Sequence, residues 1–264
     1  MVETAVVTGA QDGGIVDYHD GAYGRVRSRT FGRPHPGVPE IVMVHGMAVC
    51  DYLLPGLAEL ARWTRVHLID LPGCGGSGEP PHELSLGQYA DAVLDWLDAC
   101  PHRGVLLAGQ SSGTQVVAEA AAREPGDVVG VVLVCPTLDP VLRRPLPLLR
   151  RWRMNQRREA AGLNEVHRPD RRRVNLRRKA HLLLIHLRHR IEAPIAALRM
   201  PVLILCGSDD TLSPPSWGRR LAALAAHGEY AQVPGPHTFC WSDPAAWSPP
   251  IAAFAARNDL QSAS

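Results

Sequence analysis

Short, mostly aliphatic runs punctuate this chain at 41–44, 65–69, 105–108, 128–134 and 202–205. Segments of helical period lie between and beyond them, at 51–62, 86–99, 114–123, 216–226 and 245–257. A strand that is apolar on both sides has to be covered on both faces, and alternation with helices supplies that cover. The pattern predicts an α/β fold, with a mostly parallel central sheet and helices on both faces. A shorter strand is expected at 230–233, and the weaker alternation over 23–31 suggests an antiparallel edge. At 264 residues the chain is long enough for one sizeable core.

The rhythm breaks between 139 and 199. From Val141 to Arg199 there are 17 Lys and Arg against 4 Asp and Glu, a balance of +13. The remaining 11 basic and 22 acidic residues leave −11. Such a shift marks an inserted unit, so three segments are expected: core 1–138, helical Arg-rich cap 139–199 and core 200–264. Within the cap, Leu176, Ala180, Leu183, Leu184, Leu187 and Ile191 share one side at helical spacing, a side expected either to roof an apolar pocket or to pack within the cap. Trp152, Leu183 and Leu187 are candidates for lining a substrate pocket, as is His45 in the core, which is also read as a brace for its loop rather than a catalyst.

Chemistry concentrates at the ends of the strands. Gly109-Gln110-Ser111-Ser112-Gly113 follows a strand and opens a helix, the setting in which a G-x-S-x-G pattern has meaning. The turn is too sharp for side chains on either side of the serine, which is why glycines flank it at two positions' distance. His45-Gly46-Met47 follows the strand at 41–44, where a loop can aim a backbone N–H at the substrate of Ser111. The amides of Met47 and Ser112 are therefore the candidate oxyanion donors. Asp70 to Gly78 is a glycine-rich turn without the lysine of a phosphate-binding loop, and is assigned a structural role. Nucleophile, acid and base then follow in the order Ser111, Asp210, His237. Asp209 is expected to cap or brace the acid loop, and Asp139, just past the strand at 128–134, is another place from which an acid could reach the histidine.

Together these five motifs resemble the α/β-hydrolase superfamily, in its serine-nucleophile branch with an HG oxyanion loop, a D-x-P-G-x-G-x-S turn and a cap after the sixth strand. The resemblance covers roughly 20–140 and 200–257. It implies an acid three residues beyond the glycine that ends its strand, from Gly207 to Asp210. Where the family has Gly-His, this chain has Pro236-His237, and its cap is unusually rich in arginine. A serine at the elbow separates it from the dehalogenase and epoxide-hydrolase branches, which use aspartate.

The expected activity is hydrolysis of an ester, thioester or lactone through an acyl-enzyme on Ser111. The same scaffold also hosts lyases, cyclases and carbon–carbon bond hydrolases of small metabolites. No cofactor and no metal site is expected. The partner is a small acyl substrate, and the basic cap could receive coenzyme A or an acyl carrier protein. Nucleic acid is not expected: only Trp152 interleaves the arginines between 141 and 199. No apolar run reaches the roughly 18 residues of a membrane span. The start shows no secretory pattern, and Cys50, Cys74, Cys100, Cys135, Cys206 and Cys240 follow no metal-like spacing. A reduced, cytoplasmic protein is the expectation.

Overall fold

The computed structural model describes residues 14–100, 104–123 and 126–260. Residues 1–13, on which the reading of the chain's start rests, lie outside them. The strands are β1 (Ile15–Gly21), β2 (Gly24–Phe31), β3 (Glu40–Val44), β4 (Val66–Asp70), β5 (Val105–Gln110), β6 (Val128–Val134), β7 (Val202–Gly207) and β8 (Gly228–Val233). They form one sheet in the order β1-β2-β4-β3-β5-β6-β7-β8. Pairing is antiparallel from β1 through β2 to β4 and parallel from β4 to β8.

Helices α1 (Leu54–Leu60), α2 (Leu86–Ala99), α3 (Gly113–Arg123), α8 (Pro215–Leu224), α9 (Phe239–Ser242) and α10 (Ser248–Arg257) cover this sheet. The apolar runs divide between two core layers. Val42 and Val44 pack with Val93, Val117 and Leu221 on one face, while Ile41 and Met43 pack with Leu57, Ile251 and Phe254 on the other. Each such side chain contributes about 1.5–3 kcal/mol on burial. Both faces being dry explains why these strands show no polar alternation. β1 is the strand that the sequence pattern does not reveal. It is a half-exposed edge with the sequence IVDYHDG, held by its hairpin register to β2 rather than by an apolar run.

Between β6 and β7 the chain leaves the sheet and builds the helical insert: a 3-10 turn at Pro140–Arg143, then α4 (Pro145–Gln156), α5 (Leu163–Arg173), α6 (Leu176–Arg188) and α7 (Glu192–Ala197). The orientation of α6 corrects the sequence expectation. Leu176 is 82% exposed, Leu183 40% and Leu184 43%, and the side turned inward carries Arg178, Leu182 and His186. Helical period finds a stripe but not the direction of the core. Polar partners decide that direction here: Arg178 donates to Glu79 at 2.5 Å, and His186 Nδ1 lies 2.6 Å from Gln115 Oε1. Ile191, beyond the end of α6, is fully buried as expected.

Candidate active site

β5 ends at Gln110 and α3 begins at Gly113, so only Ser111 and Ser112 make the turn. Ser111 has φ 55°, a left-handed conformation that a side chain seldom adopts. The close approach explains the glycines. A Cβ on Gly109 would sit 2.7 Å from the carbonyl oxygen of Gly113, and one on Gly113 would sit 2.4 Å from that of His45. Gly46 is crowded by the elbow itself, its Cβ position lying 2.8 Å from the Ser111 Cβ. The strained turn projects the Ser111 hydroxyl at the carboxyl edge of the parallel sheet.

There it meets His237, whose Nε2 lies 2.8 Å from Ser111 Oγ. The other ring nitrogen, Nδ1, lies 2.7 Å from Asp210 Oδ2. Asp210 follows β7 and is held from its second oxygen, with Oδ1 accepting the backbone N–H groups of Leu212 at 2.7 Å and Ser213 at 2.8 Å. Burial opposes charge on both members of this pair, yet each stabilises the other's ion. The Asp210 carboxyl is thus held below its usual pKa of 3.8, and the His237 imidazole is raised above 6.5. Asp209 and Asp139 stand elsewhere. Asp209 accepts from Ser208 Oγ at 3.1 Å, and Asp139 caps the 3-10 turn by accepting the Val141 N–H at 3.0 Å.

The loop after β3 brings Met47 to the elbow. Met47 and Ala48 have φ 38° and 59°, and the Met47 N–H donates to Ser112 Oγ at 2.7 Å. Beneath it His45 is 1% exposed and neutral, its pKa lowered by burial, and its Nε2 accepts the Leu71 N–H at 3.1 Å. That bond makes His45 a brace between the loop after β3 and the glycine turn, as expected. Asp70, in that turn, is clamped by Arg27 and Arg29 and accepts the Gly76 N–H at 2.8 Å. Of the residues expected to line a pocket, Trp152 is 45% exposed, Leu183 40% exposed, and Leu187 half-buried.

Several side chains that carry no motif join the site. Gln110 Nε2 donates to the His237 carbonyl at 3.1 Å, and its Oε1 accepts from Tyr52. From the insert, Glu159 accepts from Thr238, the neighbour of His237, and from Asn155 Nδ2 at 2.6 Å. Asp170 on α5 is 1% exposed, and its Oδ2 accepts the Cys50 N–H at 2.7 Å and the Asp51 N–H at 3.4 Å. Their contacts to the site come from residues far off in the chain, so no local pattern announces them. Cys135, Asp210 and His237 bring ligand-type atoms within 4.8 Å of one another. Both oxygens of Asp210 and both ring nitrogens of His237 are already engaged, by Leu212, Ser213, Ser111 and each other. This donor set does not fit a metal ion.

Residues 41–249 match the model of the alpha/beta hydrolase family. The chain belongs to that family. It is 34% identical over 96 residues to a pimeloyl-[acyl-carrier protein] methyl ester esterase of Shewanella sp. (strain MR-7), a match covering 36% of this chain and 34% of that one. It is also 33% identical over 175 residues to an uncharacterised protein of Mycobacterium tuberculosis (strain ATCC 25618 / H37Rv), covering 64% of this chain and 51% of the relative. The chain thus spans a third to a half of these curated relatives. Among solved structures, a putative lipase from Acinetobacter baumannii AYE superposes with a TM-score of 0.77 at 15% identity, covering 94% and 93% of the two chains. That likeness is one of fold. The chain is therefore a hydrolase-family protein, distantly related to esterases.

Proposed function

We propose that this protein is a serine hydrolase that cleaves an ester, thioester or lactone through an acyl-enzyme on Ser111. The observation that carries this reading is the hydrogen-bonded chain from Ser111 Oγ through His237 to Asp210, with links of 2.8 and 2.7 Å, at a turn strained to φ 55°. His237 takes the serine proton as the hydroxyl oxygen attacks the acyl carbon. Asp210 holds the imidazole with Nε2 toward the serine and stabilises the imidazolium that forms. The developing oxyanion takes over the Met47 amide from Ser112 Oγ, and the Ser112 amide at the start of α3 supplies the second donor. The imidazolium then protonates the leaving group. A water deprotonated by the same His237 releases the acid and restores Ser111.

Kinship with an esterase named for a pimeloyl methyl ester supports an acyl substrate. The positive cap also allows that acyl group to arrive on coenzyme A or an acyl carrier protein, with turnover that falls as salt rises. A reducing, cytoplasmic compartment suits six free thiols, five of them buried.

A fluorophosphonate probe tests the nucleophile. Intact mass should show one adduct on the wild type and none on Ser111→Ala. A folded wild type that takes up no adduct would overturn the serine-hydrolase reading in favour of a lyase, cyclase or binding role for the same scaffold. A panel of short esters, acyl thioesters and lactones then identifies the leaving group.

A further inference from the structure

Seven of the ten large apolar side chains exposed among the described residues lie in the insert between β6 and β7. On α4 and the turn before it they are Val141, Leu146, Leu149 and Trp152, exposed by 66, 80, 42 and 45%. On α6 they are Leu176, Leu183 and Leu184, members of the stripe that helical spacing picks out. Two cap helices therefore turn apolar stripes outward. Burying such surface is favourable, so a covering partner of matching chemistry is implied.

Charge identifies that partner. From Val141 to Arg158 there are seven arginines and no acidic residue. Arg143 is paired with Glu192, and Arg158 donates to the Asp209 carbonyl. Arg144, Arg150, Arg151, Arg153 and Arg157 form no ion pair among the described residues. On α4, Leu146, Leu149, Arg150 and Arg153 fall at i, i+3, i+4 and i+7, so leucine and guanidinium share one side of the helix. Beside them is a half-open groove of about 490 Å³, walled by Val141, Leu146, Pro147 and Met154 together with Arg150 and Arg151.

We propose that this outer face of the cap docks onto an anionic lipid surface. Leucines and Trp152 enter the boundary between headgroups and acyl chains, while the arginines extend their charged ends to lipid phosphates. The groove has apolar walls for an acyl chain and two guanidinium groups for a phosphate. Coenzyme A or an acidic carrier protein would engage the arginines but leave the leucines in water. A second copy of the chain would set five unpaired arginines against their like. A lipid surface satisfies both components, and docking of this kind needs no spanning helix, of which the described residues hold none. The bond from Thr211 Oγ1 to the Arg151 carbonyl at 3.0 Å ties α4 to the loop that carries Asp210, so a docked α4 stays attached to the site.

Co-flotation with unilamellar vesicles tests this, using phosphatidylcholine alone and an equimolar mixture with phosphatidylglycerol. Binding to the mixed vesicles should exceed that to phosphatidylcholine by about tenfold or more, and should weaken with added salt. Leu146→Ser/Leu149→Ser and Arg150→Ala/Arg153→Ala should each remove most of it. These positions are exposed, so unchanged thermal melts will certify the fold of both variants. Full binding by either pair, or equal binding to both vesicles, would overturn the proposal. So would retention on immobilised coenzyme A without vesicle binding, or a stable dimer that hides Trp152 from an aqueous quencher. Ser111→Ala protein serves equally well in every arm, which separates this outcome from that of the proposed hydrolysis.

Discussion

Ser111 and His237 are 126 positions apart and meet at 2.8 Å, so the smallest scale already depends on the whole sheet. In the proposed mechanism three aspartates are candidates for the acid, and of these Asp210 bonds His237. Asp210→Asn should lower turnover by about 10³–10⁴ by offering His237 the wrong hydrogen-bond partner. Asp209→Asn and Asp139→Asn should each change it by less than tenfold, since these two side chains serve local turns. Steady-state rates on one activated ester decide the matter, and a large loss at either of the latter would move the acid. The raised pKa of His237 fixes a second outcome. A general base must be neutral, so kcat/KM should climb with pH through a limb centred above 6.5. In Asp210→Asn the opposing burial is left in control, and the residual limb should move downward. The same wild-type shift stabilises the fold at pH below the unfolded pKa of His237, and that contribution is lost as pH rises through its folded value.

At the scale of elements, the loop after β3, the proposed oxyanion loop, is held from two sides. His45 fastens it to the glycine turn, and Asp170 reaches down from α5 to accept two amides just beyond it. Removing that carboxylate leaves buried N–H groups without an acceptor, which costs about 1–3 kcal/mol. Asp170→Ala should therefore lower the melting temperature. It should also reduce kcat by up to about 10²-fold, the scale on which small misplacements of catalytic groups act. Asp170→Asn, which keeps one oxygen acceptor, should recover most of the stability. Melting curves and kcat for the two variants check this, and unaltered kcat in a destabilised Asp170→Ala would limit the residue to a role in folding.

Over the whole molecule, the cap joins the core through buried groups that are intolerant of acid. Burial lowers the pKa of His186 to about 3, aided by neighbouring histidines, and that of His167 to about 4, aided by Arg171. Both remain neutral in the folded chain at pH values where the unfolded chain protonates them. The stability present above 6.5 is thus lost as pH falls toward these folded values, by about 1.4 kcal/mol per pH unit for each histidine. The melting temperature should drop between pH 7 and pH 5, and the drop should shrink in His167→Gln/His186→Gln. Equal pH sensitivity in that double variant would place the acid-labile groups elsewhere.

Local chemistry in the sequence was enough to determine the α/β class, the parallel strands and the elbow. Each of these rests on residues adjacent in the chain: aliphatic runs need two covered faces, and a two-residue turn needs glycines beside it. Ser111, Asp210 and His237 could be singled out for the same reason, because each lies within four residues of the end of a recognisable strand. The half-polar edge strand β1 was not legible, nor were Glu159, Asp170 and Gln110 as supports of the site, because their partners lie across the fold. The outward stripe of α6 belongs with these. Spacing placed its leucines on one side of a helix, but only buried Gln115 and the surface carboxylate of Glu79, which meet His186 and Arg178, decided that the other side would be buried.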